Sequence, residues 1–523
     1  MSPAVPSIPK PVHPIININP EIPPLRRIED KTKINIRYLL VAPHATAHIY
    51  FDQELSELRY EIEEPILNNA ESKVLEELET GMLELINVGA VIEKTQEALL
   101  SYLDKMAKLL LSELGRTISE ESYSRIFYYL YRDFIGLNEM EPLMRDFFIE
   151  DIECNGINTP VFIVHRIYRN MKTNLVYSDV NKLASFVEKV AQRCGRYISY
   201  ATPFLDGTLP DGSRVNATYT TEVTSRGPTM TIRKFTKVPW TPVQLISMNT
   251  LSPEMLAYFW LLMQYKCNIL VTGGTGSGKT SMLNALAFFI PPEARIVSVE
   301  DTREINLPRE NWLPAVARTG LTGGAGEVDM FTLLKESFRQ NPDYVIVGEV
   351  RGKEAFVLFQ AMAAGHPSLS TMHADSVETV IRRLETPPIN LSPTLVNSLD
   401  AVAVMTHAIV NKQETRRLRE IVEIVDVDPE GIAKTNTPFT WNPTKDVFYF
   451  KTESKVFEKI MKRYGLTKEE ILKEFRLRTK LVFALYKQKI FDFTTVQKII
   501  NDYYKNPEKI VEKYSGLPSK IKR

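Results

Sequence analysis

The chain has 523 residues, 64 basic and 64 acidic side chains, and a hydrophobic fraction of 44%. The chain is longer than a single hydrophobic core usually accommodates, so its length predicts a globular protein of two or three domains. The zero net charge excludes a global field that would attract nucleic acid or anionic lipid, and leaves open only a local basic patch. The sequence has no apolar run that could span a bilayer and no signal peptide, so we expect a cytoplasmic protein.

The N-terminal half is expected to change character along its length. Frequent prolines predict a flexible arm over residues 1–30. A mostly helical region follows over 31–130, with an extended apolar stretch at 34–49 and helix from about Glu54 onward. Short β-type runs split by turn signals then predict an α+β domain over 131–235.

The C-terminal half is expected to hold an α/β domain between a linker and a helical tail. Two prolines around Trp240 predict an interdomain linker at 236–242. In 243–430, short apolar strands alternate with helices, which is typical of a parallel sheet covered on both faces. A capping box at Thr467-Lys-Glu-Glu470 predicts helix in 431–523, packed as a cap on the preceding domain. The predicted strands are 268–272, 295–299, 344–347, 368–372 and 401–405.

A glycine-rich segment of this α/β region matches the phosphate-binding pattern G-x-x-x-x-G-K-[ST] without departure. It follows an apolar strand and precedes a helical run, which is the setting that such a loop requires. The glycines let backbone N–H groups point inward as an anion-binding nest at a helix N-terminus. Lys279 is expected to bridge the β- and γ-phosphates, and the Thr280 hydroxyl to complete a Mg²⁺ site. The predicted nucleotide-binding residues are Gly273, Gly274, Thr275, Gly276, Ser277, Gly278, Lys279, Thr280 and Ser281.

Two acidic segments follow other strands of the same predicted sheet. Tyr344-Val-Ile-Val-Gly-Glu349 has the layout of a Walker B segment, in which Glu349 would hold magnesium. The run Glu300-Asp-Thr-Arg-Glu304 follows another strand, at the edge of the sheet that opens onto the ligand crevice. A carboxylate there could orient the attacking water as a general base, and the alternative is a solvated charged turn.

Taken in chain order, these motifs resemble the type II/type IV secretion ATPase superfamily. Its marks are the P-loop, an aspartate-box-like run at 300–304, a Walker B at Asn341-Pro-Asp-Tyr-Val-Ile-Val-Gly-Glu-Val-Arg351, and a histidine box from Ala364 to Ala374. The resemblance covers about residues 130–430. The three scattered cysteines lack the zinc-type quartet of the bacterial pilus-extension and type II secretion branches, so the sequence looks closer to the archaeal archaellum and type IV pilus ATPases.

The resemblance implies a hexameric ring in which a linker joins an N-terminal domain to a RecA-like domain, with nucleotide between them. Glu304 matches the family's catalytic glutamate better than Glu300. However, Thr302-Arg303 stands where many relatives carry Pro and an apolar residue, and this leaves the choice between the two glutamates open. The further site residues that match the family are Lys279 and Glu349, His366 and His373 of the histidine box, and Arg214 and Arg233 of the N-terminal domain.

The implied function is ATP hydrolysis by a homo-hexamer, with ATP and Mg²⁺ as cofactors. The motor would power assembly of an archaeal surface filament, a type IV pilus or archaellum, or type II-like secretion. Its implied partners are a polytopic inner-membrane platform protein and accessory filament-motor proteins, which would hold it at the cytoplasmic face of the membrane.

Two alternative functions compete with that of a filament motor. The first is a nucleic-acid-translocating hexameric ATPase of helicase or DNA-export type. The balanced charge and the lack of an aromatic–basic strip count against nucleic acid as a partner. The second is a nucleotide-binding scaffold without turnover, against which the intact lysine, threonine and glutamates of the motifs stand.

Overall fold

The computed structural model describes residues 15–23, 25, 28, 30–85, 95–235, 238–318, 326–410, 413–428, 430 and 432–516. The chain divides into two compact units, Met1–Phe235 and Thr236–Arg523. Each unit is built around a sheet of nine described strands and has its own hydrophobic core. The α/β fold class predicted from the sequence is confirmed.

The first unit contains an almost entirely antiparallel sheet. Its strands are β1 (Asn35–Val41), β2 (Ala45–Asp52), β3 (Glu57–Glu63), β4 (Ile149–Cys154), β5 (Pro160–His165), β6 (Arg169–Val176), β7 (Phe204–Thr208), β8 (Arg214–Thr218) and β9 (Thr229–Arg233). They pair in the order β1-β2-β3-β6-β5-β4-β9-β8-β7, and the β3–β6 pair is parallel. The β-type runs predicted near residues 161 and 229 are therefore β5 and β9.

Helices bury the apolar side of this sheet. The α-helices of the first unit are α1 (Asn69–Leu85), α2 (Gln96–Glu113), α3 (Glu120–Leu130), α4 (Glu141–Arg145) and α5 (Val180–Arg193). Along β5, Val161 and Ile163 are fully buried and alternate with half-buried neighbours, as a pleated strand requires. On α5, Leu183 and Val187 are buried at a four-residue spacing, which gives one apolar helix face.

Part of the predicted helical region is a strand. The sequence predicts helix from about Glu54, but Glu57–Glu63 forms β3 and the first helix begins at Asn69. Tyr60 and Ile62 are buried, and the charged residues beside them are only half-buried. This alternation has the two-residue period of a strand, and pairing with β2 and β6 fixes it, so the helical prediction is wrong here.

The predicted flexible arm is packed over part of its length. Residues 1–14 lie outside the described residues, but Ile16 and Ile18 are only 1% and 2% exposed. Asn17 pairs with Ala42 through two backbone hydrogen bonds of 2.8 and 2.9 Å. Apolar side chains at alternate positions thus carry this stretch into the core, and a flexible arm is the wrong description of it.

The sheet of the second unit combines a parallel part with an antiparallel extension. Its strands are β10 (Ile269–Gly273), β11 (Ile296–Glu300), β12 (Trp312–Val316), β13 (Tyr344–Val347), β14 (Ser368–Met372), β15 (Ala401–Val410), β16 (Gln413–Val427), β17 (Ala433–Asn442) and β18 (Val447–Phe450). The order is β12-β11-β13-β14-β10-β15-β16-β17-β18, in which the first six strands are parallel. All five predicted strands form, and each begins within one residue of its predicted start.

Helices cover both faces of this sheet. They are α6 (Pro242–Ser247), α7 (Pro253–Gln264), α8 (Lys279–Ala287), α9 (Met330–Phe338), α10 (Glu354–Ala363), α11 (Val377–Glu385), α12 (Pro393–Val396), α13 (Lys455–Tyr464), α14 (Lys468–Lys487), α15 (Phe493–Lys505) and α16 (Pro507–Ser515). Ile269 and Val271 of β10 enter the core shared with α7, α8 and the four C-terminal helices. Leu270 between them enters a separate core with α10 and α11. The parallel sheet covered on both faces is thus confirmed.

The sheet continues beyond the predicted end of the α/β domain. Residues 431–523 were expected to be helical, but β17 and β18 extend the sheet by antiparallel pairing with β16. Phe439 and Trp441 are buried at a two-residue spacing, and Thr440 between them is only half-buried. The strand period of this segment, rather than its polar composition, decides its structure.

The predicted linker ends in a helix. Residues 236–237 lie outside the described residues, whereas Thr241 is fully buried and caps α6. The Thr241 hydroxyl accepts from the Gln244 backbone N–H at 3.2 Å, and the Gln244 side chain accepts from the Thr241 N–H at 2.8 Å. This reciprocal capping box fixes the end of the predicted 236–242 segment to the second unit.

The C-terminal helices form a layer on the α7 side of the sheet. The capping box predicted at Thr467 and Glu470 is present and opens α14. Trp260 of α7 lies with its ring centroid 5.0 Å from that of Phe289 and 4.7 Å from that of Tyr503, so α15 packs directly on the domain. The predicted helical cap is confirmed. None of the described helices combines the length and apolar character needed to cross a bilayer.

Glu423 connects this layer to the sheet, and its loss should destabilise the second unit. The fully buried carboxylate accepts from the Tyr258 hydroxyl at 2.8 Å, and from Asn436 Nδ2 and the Lys455 N–H at 2.7 Å each. We expect Glu423→Ala to lower the free energy of unfolding by about 3 kcal/mol, because several buried donors lose their acceptor. Urea titration measures this loss. Glu420→Ala on the same strand is the control, and an equal loss there would contradict the prediction.

Candidate nucleotide-binding site

Four loops meet at the carboxyl edge of the parallel sheet in the second unit. They follow β10, β11, β13 and β14, whose parallel pairing places their carboxyl ends side by side. This edge is where open α/β sheets bind their ligands. The predicted P-loop, acidic run, Walker B segment and second histidine all follow these strands, so the topology gathers most of the predicted site residues.

The loop between β10 and α8 has the backbone of an anion-binding nest. Gly276 and Gly278 have φ angles of +69° and +93°, which glycine adopts at little cost. Gly278 is the N-cap of α8, and Lys279 is its first residue. A Cβ atom on Gly273 would lie 2.5 Å from the Met405 carbonyl oxygen, so this position also excludes a side chain. The curled loop therefore presents backbone N–H groups at a helix N-terminus.

The Lys279 ammonium lies over this loop. Its Nζ donates to the carbonyl oxygens of Gly273 and Gly274, both at 3.1 Å. Burial lowers the pKa of Lys279, and the nearby carboxylates of Glu349 and Glu304 oppose that effect. Both acidic motifs thus act electrostatically on the P-loop lysine, which places them around one site.

Glu304 bonds directly to the P-loop hydroxyl. The Thr280 hydroxyl donates to Glu304 Oε2 at 2.7 Å. Asn284, one helical turn after Thr280, donates through Nδ2 to the Glu304 carbonyl at 3.3 Å and accepts from the Asn306 N–H at 3.0 Å. The loop after β11 is therefore tied to helix α8 by a side chain and by its backbone.

Glu300 supports this loop from inside the protein. It is 1% exposed, and its Oε1 accepts from the backbone N–H groups of Glu304 and Ile305 at 2.8 Å each. Its Oε2 is buried and has no hydrogen-bond partner among the described residues. A Cβ atom on Gly348 would lie 3.2 Å from Glu300 Cγ, so that glycine leaves room for the carboxylate. Burial raises the pKa of Glu300 to about 7.

Glu349 lies after β13 on the same edge. Arg351 Nε donates to Glu349 Oε2 at 3.0 Å, so the Walker B carboxylate is paired with the arginine two residues on. Thr371 of β14 donates through Oγ1 to the Gly348 carbonyl at 2.7 Å and accepts, through its own carbonyl, from the Val350 N–H at 2.9 Å. The backbone on both sides of Glu349 is thereby fixed to the neighbouring strand.

The two predicted histidines lie at opposite ends of β14. His373 follows the strand, and the next residue, Ala374, accepts through its carbonyl from the Thr272 hydroxyl at 2.5 Å. His373 therefore lies on the P-loop edge. His366 precedes the strand and contacts the Phe338 ring, with 5.3 Å between centroids. The histidines are seven positions apart in extended chain, a distance of about 20 Å, so the structure does not bring His366 to the P-loop of its own chain.

Arg214 and Arg233 are neighbours in the first unit. They lie opposite each other on β8 and β9. Arg214 pairs with Asp206 at 2.9 Å, and Arg233 pairs with Asp151 at 3.2 Å. Two guanidinium groups at one register position repel each other, and the two carboxylates offset that repulsion. The predicted arginines therefore lie side by side on the first unit, each paired with an aspartate.

Two site residues were missed by the sequence analysis. Asn284 stands four residues after Thr280, and that helical spacing was a usable signal. Arg416 of β16 donates through Nε to the Gly276 carbonyl at 2.8 Å. Arg416 lies 140 residues after Gly276 in the chain, and only the β15–β16 pairing brings it to the P-loop. No local sequence pattern therefore predicts this contact.

The chain is similar to a known protein family and to curated proteins. A family model described as type II/IV secretion system protein matches residues 162–440. An uncharacterized protein of Methanocaldococcus jannaschii, MJ0900, is 41% identical over 415 residues, which cover 77% of this chain and 73% of that protein. Type IV secretion system protein PtlH of Bordetella pertussis is 33% identical over 228 residues, which cover 39% of this chain and 67% of PtlH.

The chain is also similar to proteins of known structure. The Legionella pneumophila ATPase DotB is 16% identical, with 68% of this chain and 92% of DotB covered and a TM-score of 0.39. The family match spans more than half of the chain and includes every motif of the carboxyl edge. The chain belongs to the type II/IV secretion system protein family. The predicted superfamily is thus confirmed, and the M. jannaschii relatives fit the predicted archaeal branch.

The burial of Glu300 should make stability depend on pH. Its pKa is raised from 4.5 to about 7, so the folded protein keeps a proton that the unfolded chain releases. Wild-type stability should therefore fall as the pH rises from about 4.5 to about 7, and then level off. Glu300→Gln does not titrate and should gain about 3 kcal/mol relative to wild type over that interval.

Urea unfolding of both proteins between about pH 5 and about pH 8 measures this difference. Glu310→Gln removes an exposed carboxylate from the same segment and serves as the control. A difference between Glu300→Gln and wild type that stays constant with pH would show that Glu300 is ionised throughout.

Proposed function

We propose that this chain is an ATP hydrolase that powers assembly of an archaeal surface filament, a type IV pilus or archaellum, or type II-like secretion. The observation that carries the proposal is the bond between Thr280 of the P-loop and Glu304. It places a carboxylate beside the loop that would hold the phosphates. Membership of the secretion system family supports the cellular role.

The triphosphate would be held by the nest and by Lys279. The N–H groups at the start of α8 point at an anion in this geometry, and the helix dipole favours negative charge there. Lys279 would exchange the Gly273 and Gly274 carbonyls for phosphate oxygens. Arg416, bonded to the Gly276 carbonyl, would keep the loop in this conformation.

The polar groups around the loop fit a magnesium ion. Mg²⁺ prefers oxygen ligands, and the site offers the Thr280 hydroxyl and the Glu349 carboxylate, the two donors that the sequence predicted. When bound, the ion would neutralise charge on the β- and γ-phosphates.

The geometry favours Glu304 over Glu300 as the general base. Glu304 reaches the P-loop with its carboxylate, whereas Glu300 is buried and uses one oxygen to hold two backbone N–H groups. Glu304 would accept a proton from water as the water oxygen bonds to the γ-phosphorus. The bond from that phosphorus to the bridging oxygen breaks, so ADP and inorganic phosphate leave. Glu300 would keep Glu304 in place.

The remaining predicted roles belong to the assembled motor. Arg214 and Arg233 would offset charge that develops on the phosphates, and His373 would report the nucleotide state from the P-loop edge. Loss of the γ-phosphate would let the two units separate within a homo-hexamer. A polytopic membrane platform protein and accessory motor proteins would take up that movement at the cytoplasmic face of the membrane.

The rate of ATP hydrolysis should distinguish the role of Glu304 from that of Glu300. We expect Glu304→Gln to lower kcat by about 100-fold or more while nucleotide still binds, because only the base is lost. Glu300→Gln keeps an acceptor for the two backbone N–H groups and should stay within about tenfold of wild type. Lys279→Ala should abolish phosphate release. Release of inorganic phosphate measures all three, with Glu310→Gln as the control.

Near-wild-type turnover by Glu304→Gln together with an inactive Glu300→Gln would show that Glu300, and not Glu304, is the general base. Wild-type protein that releases no phosphate would support a nucleotide-binding scaffold instead. The same assay, run with single-stranded DNA, tests a nucleic-acid motor. A filament motor should keep its rate in the presence of DNA, and strong stimulation would contradict the proposed function.

A further inference from the structure

The charge of this chain is unevenly distributed. Residues 451–523 contain 19 Lys and Arg against 9 Asp and Glu, a net charge of +10. Since the whole chain has 64 of each, residues 1–450 contain 45 basic and 55 acidic residues, a net charge of −10. The zero overall charge therefore conceals a basic C-terminal segment, which contains the helices α13 to α16, and an acidic remainder of the sequence.

Helix α14 gathers part of this charge on one face. Four basic residues and a phenylalanine recur along it at steps of three or four residues, which places them on one side of a helix. All five are exposed, and Phe483 is 46% exposed. We call this face the α14 stripe, and its members are Lys473, Arg476, Lys480, Phe483 and Lys487. The opposite side packs into the core through Ile471, Leu481, Val482 and Leu485.

The stripe is only partly neutralised by its neighbours. Lys473 pairs with Glu508 of α16 at 3.0 Å. The Lys487 ammonium lies 5.3 Å from the centre of the Phe483 ring. Within the described residues, neither Arg476 nor Lys480 forms an ion pair. A solvated helix face normally mixes both signs of charge, whereas this one presents cations around an exposed aromatic ring.

These features fit a lipid surface better than a folded partner or a duplex. The stripe follows one 20-residue helix of about 30 Å, so its side chains can meet a flat surface together. Three of its four cations are lysines, whose compact ammonium groups suit diffuse headgroup charge rather than bidentate recognition. An aromatic side chain among basic ones is typical of helices that lie in the membrane interface. Residues 1–450 have a net negative charge, so an anionic bilayer favours the basic C-terminal segment over the rest of the chain.

We propose that the α14 stripe binds the headgroups of an anionic lipid bilayer directly. The binding orients the second unit, with α14 against the lipid and the sheet face covered by α11 away from it. This contact adds to any docking on a membrane protein partner and does not depend on ATP hydrolysis.

Flotation of the full-length protein with lipid vesicles tests the contact without any nucleotide. Wild type should bind vesicles that contain phosphatidylglycerol, should not bind pure phosphatidylcholine vesicles, and should be released by high salt. The double variant Arg476→Gln, Lys480→Gln should bind about 30-fold more weakly, since each basic side chain near such a surface contributes about a fivefold factor. Glutamine favours helix, so α14 should remain folded, as circular dichroism would verify.

The matched control is Arg382→Gln, Arg383→Gln, which removes two exposed cations from α11 on the other face of the sheet. It should bind vesicles as wild type does. Failure of wild type to bind anionic vesicles, or an equal loss in the control, would overturn the proposal. The proposal would also be overturned if the stripe variant lost binding to short duplex DNA that wild type binds, but still bound vesicles. The stripe would then be a nucleic-acid surface.

Discussion

A buried carboxylate fixes the loop that carries the proposed general base. Glu300 ends strand β11 inside the second unit, and one of its oxygens accepts from two consecutive backbone N–H groups of the following loop. That loop carries Glu304, whose own carboxylate meets the P-loop hydroxyl of Thr280. The position of the proposed base therefore depends on hydrogen bonds within the protein and not on a bound ligand.

The sheet explains why these groups meet at all. Parallel strands bring their carboxyl ends to one edge, so residues separated by many positions in the chain become neighbours around the P-loop. The antiparallel β15–β16 hairpin adds Arg416 from the other side of β10. Most of the predicted site residues thus lie in the second unit, whereas Arg214 and Arg233 lie on the sheet of the first unit.

How much could be predicted from the sequence depended on the range of the interactions. The five apolar strands, and the helix that follows the glycine-rich segment, form where they were predicted, because a strand–loop–helix pattern and continuous apolar runs are local signals. Strand β3 was missed because its charged residues resemble a solvated helix until Tyr60 and Ile62 are seen to face the core. The sequence left Glu300 and Glu304 unresolved, because their difference is one of burial. Arg416 could not be predicted, because only the pairing of β15 with β16 brings it to the loop and no local spacing indicates that pairing.

The most direct test of the account is a calorimetric titration of the wild-type protein with ADP in the presence of magnesium. If the loop from Gly273 to Thr280 is the anion-binding nest that its backbone indicates, one nucleotide should bind per chain. The absence of any heat of binding at nucleotide concentrations far above the usual cellular range would contradict the account, because every proposed role of the carboxyl edge depends on a bound phosphate chain.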